Sequence, residues 1–302
     1  MTAAGDAVDD AELAGLLEAV FVRWQHDFRG YARDSMRRRV AGLARRLDCP
    51  TLSHLQARVL RDPGDFDALL AAINVTVSEM FRDPEHFRAL RDEVLPRLAT
   101  WPFVKVWVAG CGRGEELWSL LVLFREAGLL ERSTFYATDV NAAVLEAARA
   151  GVYPLERAAL FERNYAAAGG AARLSDHYTA AYGRIAFDRS LARSVAFSDH
   201  SLATDAVFSE MHLVSCRNVL IYFDRPLQDR VLGLFADALV RGGVLGLGSR
   251  ETVRFSARAA DFEPLGGGAR LWTRRGEGLP PPRSARSARS GRRPGGWRGR
   301  GA

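Results

Sequence analysis

The stretch Val104-Lys-Val-Trp-Val-Ala-Gly-Cys-Gly-Arg-Gly-Glu-Glu116 constrains this chain most. Alternating β-formers run into Gly110, Gly112 and Gly114, and an apolar run from Leu117 to Phe124 follows. That order reads as strand, glycine turn and buried helix. Glycine lets a backbone turn sharply and come close to a ligand, and the free N–H groups at the helix start favour a polar or anionic group. A ligand-free tight turn has the same local pattern, so the surrounding chain must decide.

It supplies a second strand, Ser133 to Asp139, ending in an acid, and then an alanine-rich helix from Asn141 to Gly151. The spacing from Gly114 to Asp139 suits an acid that hydrogen-bonds a ribose hydroxyl in a nucleotide-binding βαβ unit. Further strands are expected at Ser194–Ser198, from His212 to a break at Arg217-Asn218, at Gly242–Gly248 and at Ala269–Thr273, with a helix over Gln228–Leu239. Strands alternating with helices predict a mostly parallel, doubly wound α/β sheet. The stretch from Tyr153 to Arg193, with Gly169-Gly170 and scattered aromatics, reads as an inserted helix plus an excursion beside the ligand cleft.

Before the sheet, Asp9 to Ala72 reads as helices, with Pro50 and Pro63-Gly64 as breaks. One of them, Ser35 to Leu47, pairs an apolar face with a dense arginine face. Such a face is either simply solvated or a docking surface for an acidic partner. Asn74 to Pro84 is too rich in β-branched residues for a helix middle and reads as a linker, and Glu85 to Leu98 reads as a helix leading to the first strand.

The net charge of +6 is unevenly spread. From Arg274 to the end there are nine arginines against one glutamate, so the rest of the chain is slightly acidic. After Arg275 the composition is Pro, Ser, Arg and Gly, too poor in apolar residues to build a core, and disorder is expected there. Attraction to nucleic acid or acidic surfaces and an inert biased tail both remain open for it. No apolar run reaches the ~18 residues of a membrane helix, and the acidic start lacks a secretory pattern, so a cytoplasmic protein is expected. Cys49, Cys111 and Cys216 are too far apart in sequence to suggest a metal site.

Ser78-Glu-Met-Phe-Arg-Asp-Pro84, Ala109-Gly-Cys-x-x-Gly-Glu-Glu116, Ala137-Thr-Asp139, Gly151-x-Tyr-Pro154 and Cys216-Arg-Asn-Val-Leu-Ile-Tyr-Phe223 occur in one chain, in this order. The sequence thereby resembles the CheR-type chemotaxis receptor methyltransferases, over about Leu17 to Arg274. The resemblance implies a small all-α domain (1–73), a linker and connecting helix (74–100), a Rossmann-like S-adenosylmethionine-binding α/β domain (101–275) and the tail (276–302). It implies methyl esterification of glutamate side chains on receptor cytoplasmic domains.

It also implies roles. Gly110, Gly112 and Gly114 face the methionine part of S-adenosylmethionine, with Glu115 the nearby acid. Asp139 holds the ribose hydroxyls, and Arg217 and Asn218 line the far side. Arg82 reaches in from the linker, and Tyr222 flanks the sulfonium and the incoming carboxylate. Thr76, Ser78, Ser201 and Leu202 complete the expected cofactor contacts. Ser201-Leu202 departs from the family's Asn-Leu, and the linker carries Thr76 and Ser78 with Asn74 two positions early.

Other readings share parts of this pattern. A nicotinamide dehydrogenase shares the turn and the acid, but the chain has no Tyr-x-x-x-Lys pair. A nucleic-acid methyltransferase suits the basic tail, but Cys-Arg-Asn-Val219 stands where Asn/Asp-Pro-Pro-Tyr/Phe is needed for amino-group methylation. A cofactor-binding regulatory module without catalysis differs from the enzyme only at details such as Thr76 and Ser201.

Overall fold

A computed structural model describes residues 3–74, 78–266 and 268–276. Thr76 and the expected disordered tail lie outside the described residues.

Four helices come first: α1 (Ala3–Trp24), α2 (Arg33–Arg46), α3 (Leu52–Val59) and α4 (Pro63–Ile73). Their apolar stripes meet in one core built on Leu13, Leu16, Val20, Val40, Leu55 and Leu69. Pro63, expected as a break, instead opens α4. Asp62 caps that helix through the Gly64 N–H, and proline suits a first turn because its missing N–H has no intrahelical partner there.

The connecting helix is interrupted. It runs as α5 (Pro84–Ala89), a π-helical turn (Leu90–Val94) and α6 (Leu95–Leu98). Pro96, inside the last piece, cannot donate a backbone hydrogen bond to the preceding turn, and the wider turn accommodates this.

The second unit is a seven-stranded sheet in the order β6-β2-β1-β7-β8-β10-β9. Its strands are β1 (Val104–Ala109), β2 (Ser133–Asp139), β6 (Val195–Asp199), β7 (Met211–Cys216), β8 (Leu239–Leu247), β9 (Phe262–Pro264) and β10 (Leu271–Arg274). The first five in space are parallel, and β10 and β9 add antiparallel at one edge. Helices α7 (Glu115–Glu126), α8 (Ala142–Ala150) and α10 (Arg225–Ala238) connect them.

One apolar cluster, with Trp118, Leu121 and Phe135, holds α7 against the sheet; another, with Trp107, Val214 and Phe235, holds α10. Two glycines set this packing. A Cβ on Gly151 would stand 2.3 Å from the Trp118 ring, and one on Gly114 would stand 2.9 Å from Ala148.

The stretch from Tyr153 to Arg193 contains α9 (Ala158–Ala167) and, unexpected from sequence, most of a separate antiparallel sheet. This is β3 (Val152–Pro154), β5 (Arg184–Phe187) and β4 (Tyr178–Ala181), in that order. The expected strand Gly242–Gly248 is longer, and the edge strand β9 was not foreseen. Among the described residues no helix is long and apolar enough to cross a membrane.

Candidate active site

All parallel strands end on the same side, and a cavity lined by the turn after β1, by Asp139 and by Arg217 opens there. The turn after β1 forms its floor. Gly110, Gly112 and Gly114 all have positive φ (69°, 54° and 92°). They are not equivalent. A Cβ on Gly110 would meet Val219 at 2.6 Å, whereas one on Gly112 would meet nothing within 4 Å. Gly112 leaves backbone open to a ligand; Gly110 is required by protein packing.

Asp139, at the end of β2, lines the same cavity. Its Oδ2 accepts the Gly112 N–H (3.0 Å) and its Oδ1 the Asn141 N–H (3.0 Å). Burial raises its pKa above the ordinary carboxylate value, while these backbone donors pull the other way. Each oxygen keeps acceptor capacity for a further donor such as a ribose hydroxyl.

Arg217 closes the far side. Its side chain is 2% exposed and donates to Glu116 Oε2 (2.6 Å), Asp83 Oδ2 (2.8 Å) and the Arg82 carbonyl (2.7 Å). Asn218 takes a left-handed conformation (φ 61°). The turn is held by buried Glu251, whose carboxylate accepts the N–H groups of Asn218 (2.9 Å), Gly248 (2.6 Å) and Ile221 (3.3 Å). Burial raises the Glu251 pKa against these donors.

Of the residues expected in the site, Ser78, Arg82, Gly110, Gly112, Asp139, Ser201, Leu202, Arg217, Asn218 and Tyr222 line this one cavity. Glu115 is not in the lining. It is fully buried, its Oε1 receives Arg157 (3.2 Å), and its Oε2 has no hydrogen-bond partner among the described residues. Glu116, the next residue, lines the cavity and also takes the Ser215 hydroxyl (2.8 Å).

Arg82, half-buried, makes no side-chain hydrogen bond or ion pair to a described residue. Tyr222 lies under the Arg39 guanidinium of α2 (4.8 Å), and its carbonyl accepts the Ala32 N–H (2.8 Å). Sequence reasoning missed Glu116, Glu251, Tyr31 and His200. Only Glu116 sat in a quoted motif; the others come from segments with no local signature.

Fold and cavity together define a class, the S-adenosylmethionine-dependent methyltransferases. Within it, the chain belongs to the CheR methyltransferase family. Residues 11–73 match the model of the CheR methyltransferase all-alpha domain, and residues 76–266 that of the CheR methyltransferase SAM binding domain.

Among curated relatives, "Putative methyltransferase Cher3" of Pseudomonas putida is 53% identical over 256 residues, 85% of this chain and 94% of that one. A chemotaxis protein methyltransferase of Vibrio parahaemolyticus is 31% identical over 230 residues (72% and 80%). A solved O-methyltransferase family protein from Burkholderia thailandensis is 18% identical, with a TM-score of 0.35 over 68% of this chain; the chain spans about half of its length (48%).

The residues fit the cofactor. The open backbone at Gly112 and the remaining acceptor capacity of Asp139 suit the polar groups of S-adenosylmethionine.

Proposed function

We propose that the protein transfers a methyl group to glutamate side chains of methyl-accepting chemotaxis receptors, forming methyl esters. S-adenosylmethionine brings an electrophilic methyl on a sulfonium sulfur, which an ionised carboxylate displaces without any proton transfer.

The observation that carries this reading is the state of the polar side chains around the cavity. Both lining carboxylates are engaged: Glu116 with Arg217 and Ser215, Asp139 with two backbone N–H groups. His200 is within hydrogen-bond distance of the Ala206 carbonyl (3.2 Å). Neither lining carboxylate is free to act as a general base, His200 keeps only its buried Nδ1 without a hydrogen-bond partner, and Arg82 is a cation without a partner among the described residues. A site so arranged suits a nucleophile that arrives already charged. Glutamate, with an ordinary pKa of about 4.3, does so at neutral pH.

The roles follow. Asp139 takes the ribose hydroxyls. Arg82 orients the incoming carboxylate by paired hydrogen bonds, and Tyr222 positions it against the methyl. Arg33, Arg38, Arg45 and Arg46 of α2 are exposed and form the acceptor-facing surface for an acidic receptor helix.

The test is transfer of labelled methyl to a purified receptor cytoplasmic domain. Label released as methanol by mild base is expected; base-stable label would place the methyl on nitrogen or carbon and overturn the ester.

A further inference from the structure

The helical domain reaches the donor cavity through Tyr31, Ile73 and Asn74. Tyr31 is held from both sides. Its ring packs edge-on against Phe28 of its own domain (5.1 Å) and Phe223 beyond β7 (4.9 Å). Its backbone pairs antiparallel with Phe223. The flanking bonds, Ala32 N–H to the Tyr222 carbonyl and Asp224 N–H to the Gly30 carbonyl (both 2.8 Å), fix the two segments together. A ring so placed has little rotamer freedom left to lose, so its hydroxyl is positioned before any ligand arrives.

That hydroxyl makes no hydrogen bond to a described residue. Tyr31 and Asp139 line the same cavity, and burial raises the phenol's pKa. A phenol in an apolar setting ordinarily finds a partner. Here the cavity beside Asp139 is where one can stand. A sugar hydroxyl donates one hydrogen bond and accepts others, so the same hydroxyl that donates to Asp139 has a lone pair to offer Tyr31.

We propose that the Tyr31 hydroxyl donates to a ribose hydroxyl of the bound donor, opposite Asp139, so that the helical domain completes the cofactor site. Donor binding then draws on the contact between the two domains, because Tyr31 is fixed through Phe223. The proposal rests on the cofactor and not on the identity of the acceptor, so it stands or falls separately from the glutamate reading.

The test is calorimetry with S-adenosylhomocysteine and its 2′-deoxy and 3′-deoxy analogues, on the parent protein and on Tyr31→Phe, which keeps the ring contacts. A neutral hydrogen bond predicts a Kd for S-adenosylhomocysteine about 3- to 10-fold higher in the variant. For one of the deoxy analogues the two proteins are expected to bind nearly alike. The preference for the native ribose is a ratio taken within each protein, so a less stable variant still gives an answer. If that preference is the same in both proteins for both analogues, the proposal is overturned, as it is if Tyr31→Phe binds S-adenosylhomocysteine as tightly as the parent.

Discussion

Arg217 Nη1 lies 2.6 Å from Glu116 Oε2, joining the end of β7 to the first turn of α7 beside the donor cavity. The same guanidinium holds the Asp83 carboxylate and the Arg82 carbonyl. One side chain thus ties the sheet, the glycine-turn helix and the interdomain segment that carries Arg82. Its position relative to Glu116 determines where Arg82 stands.

Breaking this pair leaves a charge in a buried site. Removing one partner of a buried, hydrogen-bonded ion pair typically costs about 3–5 kcal/mol. Arg217→Ala is expected to destabilise by that order in urea unfolding. Arg217→Lys is expected to recover only part of it, since an ammonium cannot present the planar fork that reaches three acceptors on two segments.

The glycines of the turn separate packing from binding. Gly110→Ala drives a methyl against Val219 in a left-handed backbone and is expected to destabilise by at least about 2 kcal/mol. Gly112→Ala meets no protein atom within 4 Å, so only the left-handed strain of about 1–2 kcal/mol remains. Its larger effect is expected on donor affinity, read by calorimetry, because the methyl stands where the ligand approaches.

Asp139 predicts a pH dependence. Burial raises its pKa above the ordinary 3.8, so in the native protein it takes up a proton at a higher pH than an exposed aspartate does. The protonated group is a weaker acceptor for ribose hydroxyls. Affinity for S-adenosylhomocysteine is therefore expected to fall with decreasing pH, starting above the range of an ordinary aspartate. Asp139→Asn is expected to bind weakly and to lose that part of the pH dependence; an unchanged profile would remove Asp139 from the donor site.

Arg82 and Tyr222 are assigned to the acceptor more than to the donor. Arg82→Gln is expected to lower the transfer rate by about two orders of magnitude, the scale of losing an orienting contact. Its donor Kd should change by less than about 3-fold, since the partner assigned to Arg82 is the acceptor carboxylate and not the donor. Tyr222→Phe should likewise affect rate more than donor affinity, and a rate equal to the parent's would take Tyr222 out of the mechanism.

The glycine turn, the Asp139 acid and the Arg217-Asn218 break were legible in sequence because each is a local pattern at the end of a strand. The pairings that complete the site were not. Glu251 caps the Asn218 turn from 33 positions away, and nothing in its own neighbourhood announces a buried carboxylate. Tyr31 reaches the cavity only because the helical domain pairs with Phe223.

The small antiparallel sheet escaped for a different reason. β4 is largely exposed, so it lacks the apolar alternation that marks a strand. Pro63 misled because its meaning depends on position: a breaker mid-helix, a starter at the first turn.

The measurement that bears most directly on the central claim is mass spectrometry of receptor cytoplasmic-domain peptides after incubation with the protein and S-adenosylmethionine. The account predicts one added CH2 on specific glutamates, reversed by mild base and nearly absent with Arg82→Gln. Unmodified glutamates, from a protein shown by calorimetry to bind the donor and mixed with receptors from its own host, would contradict it.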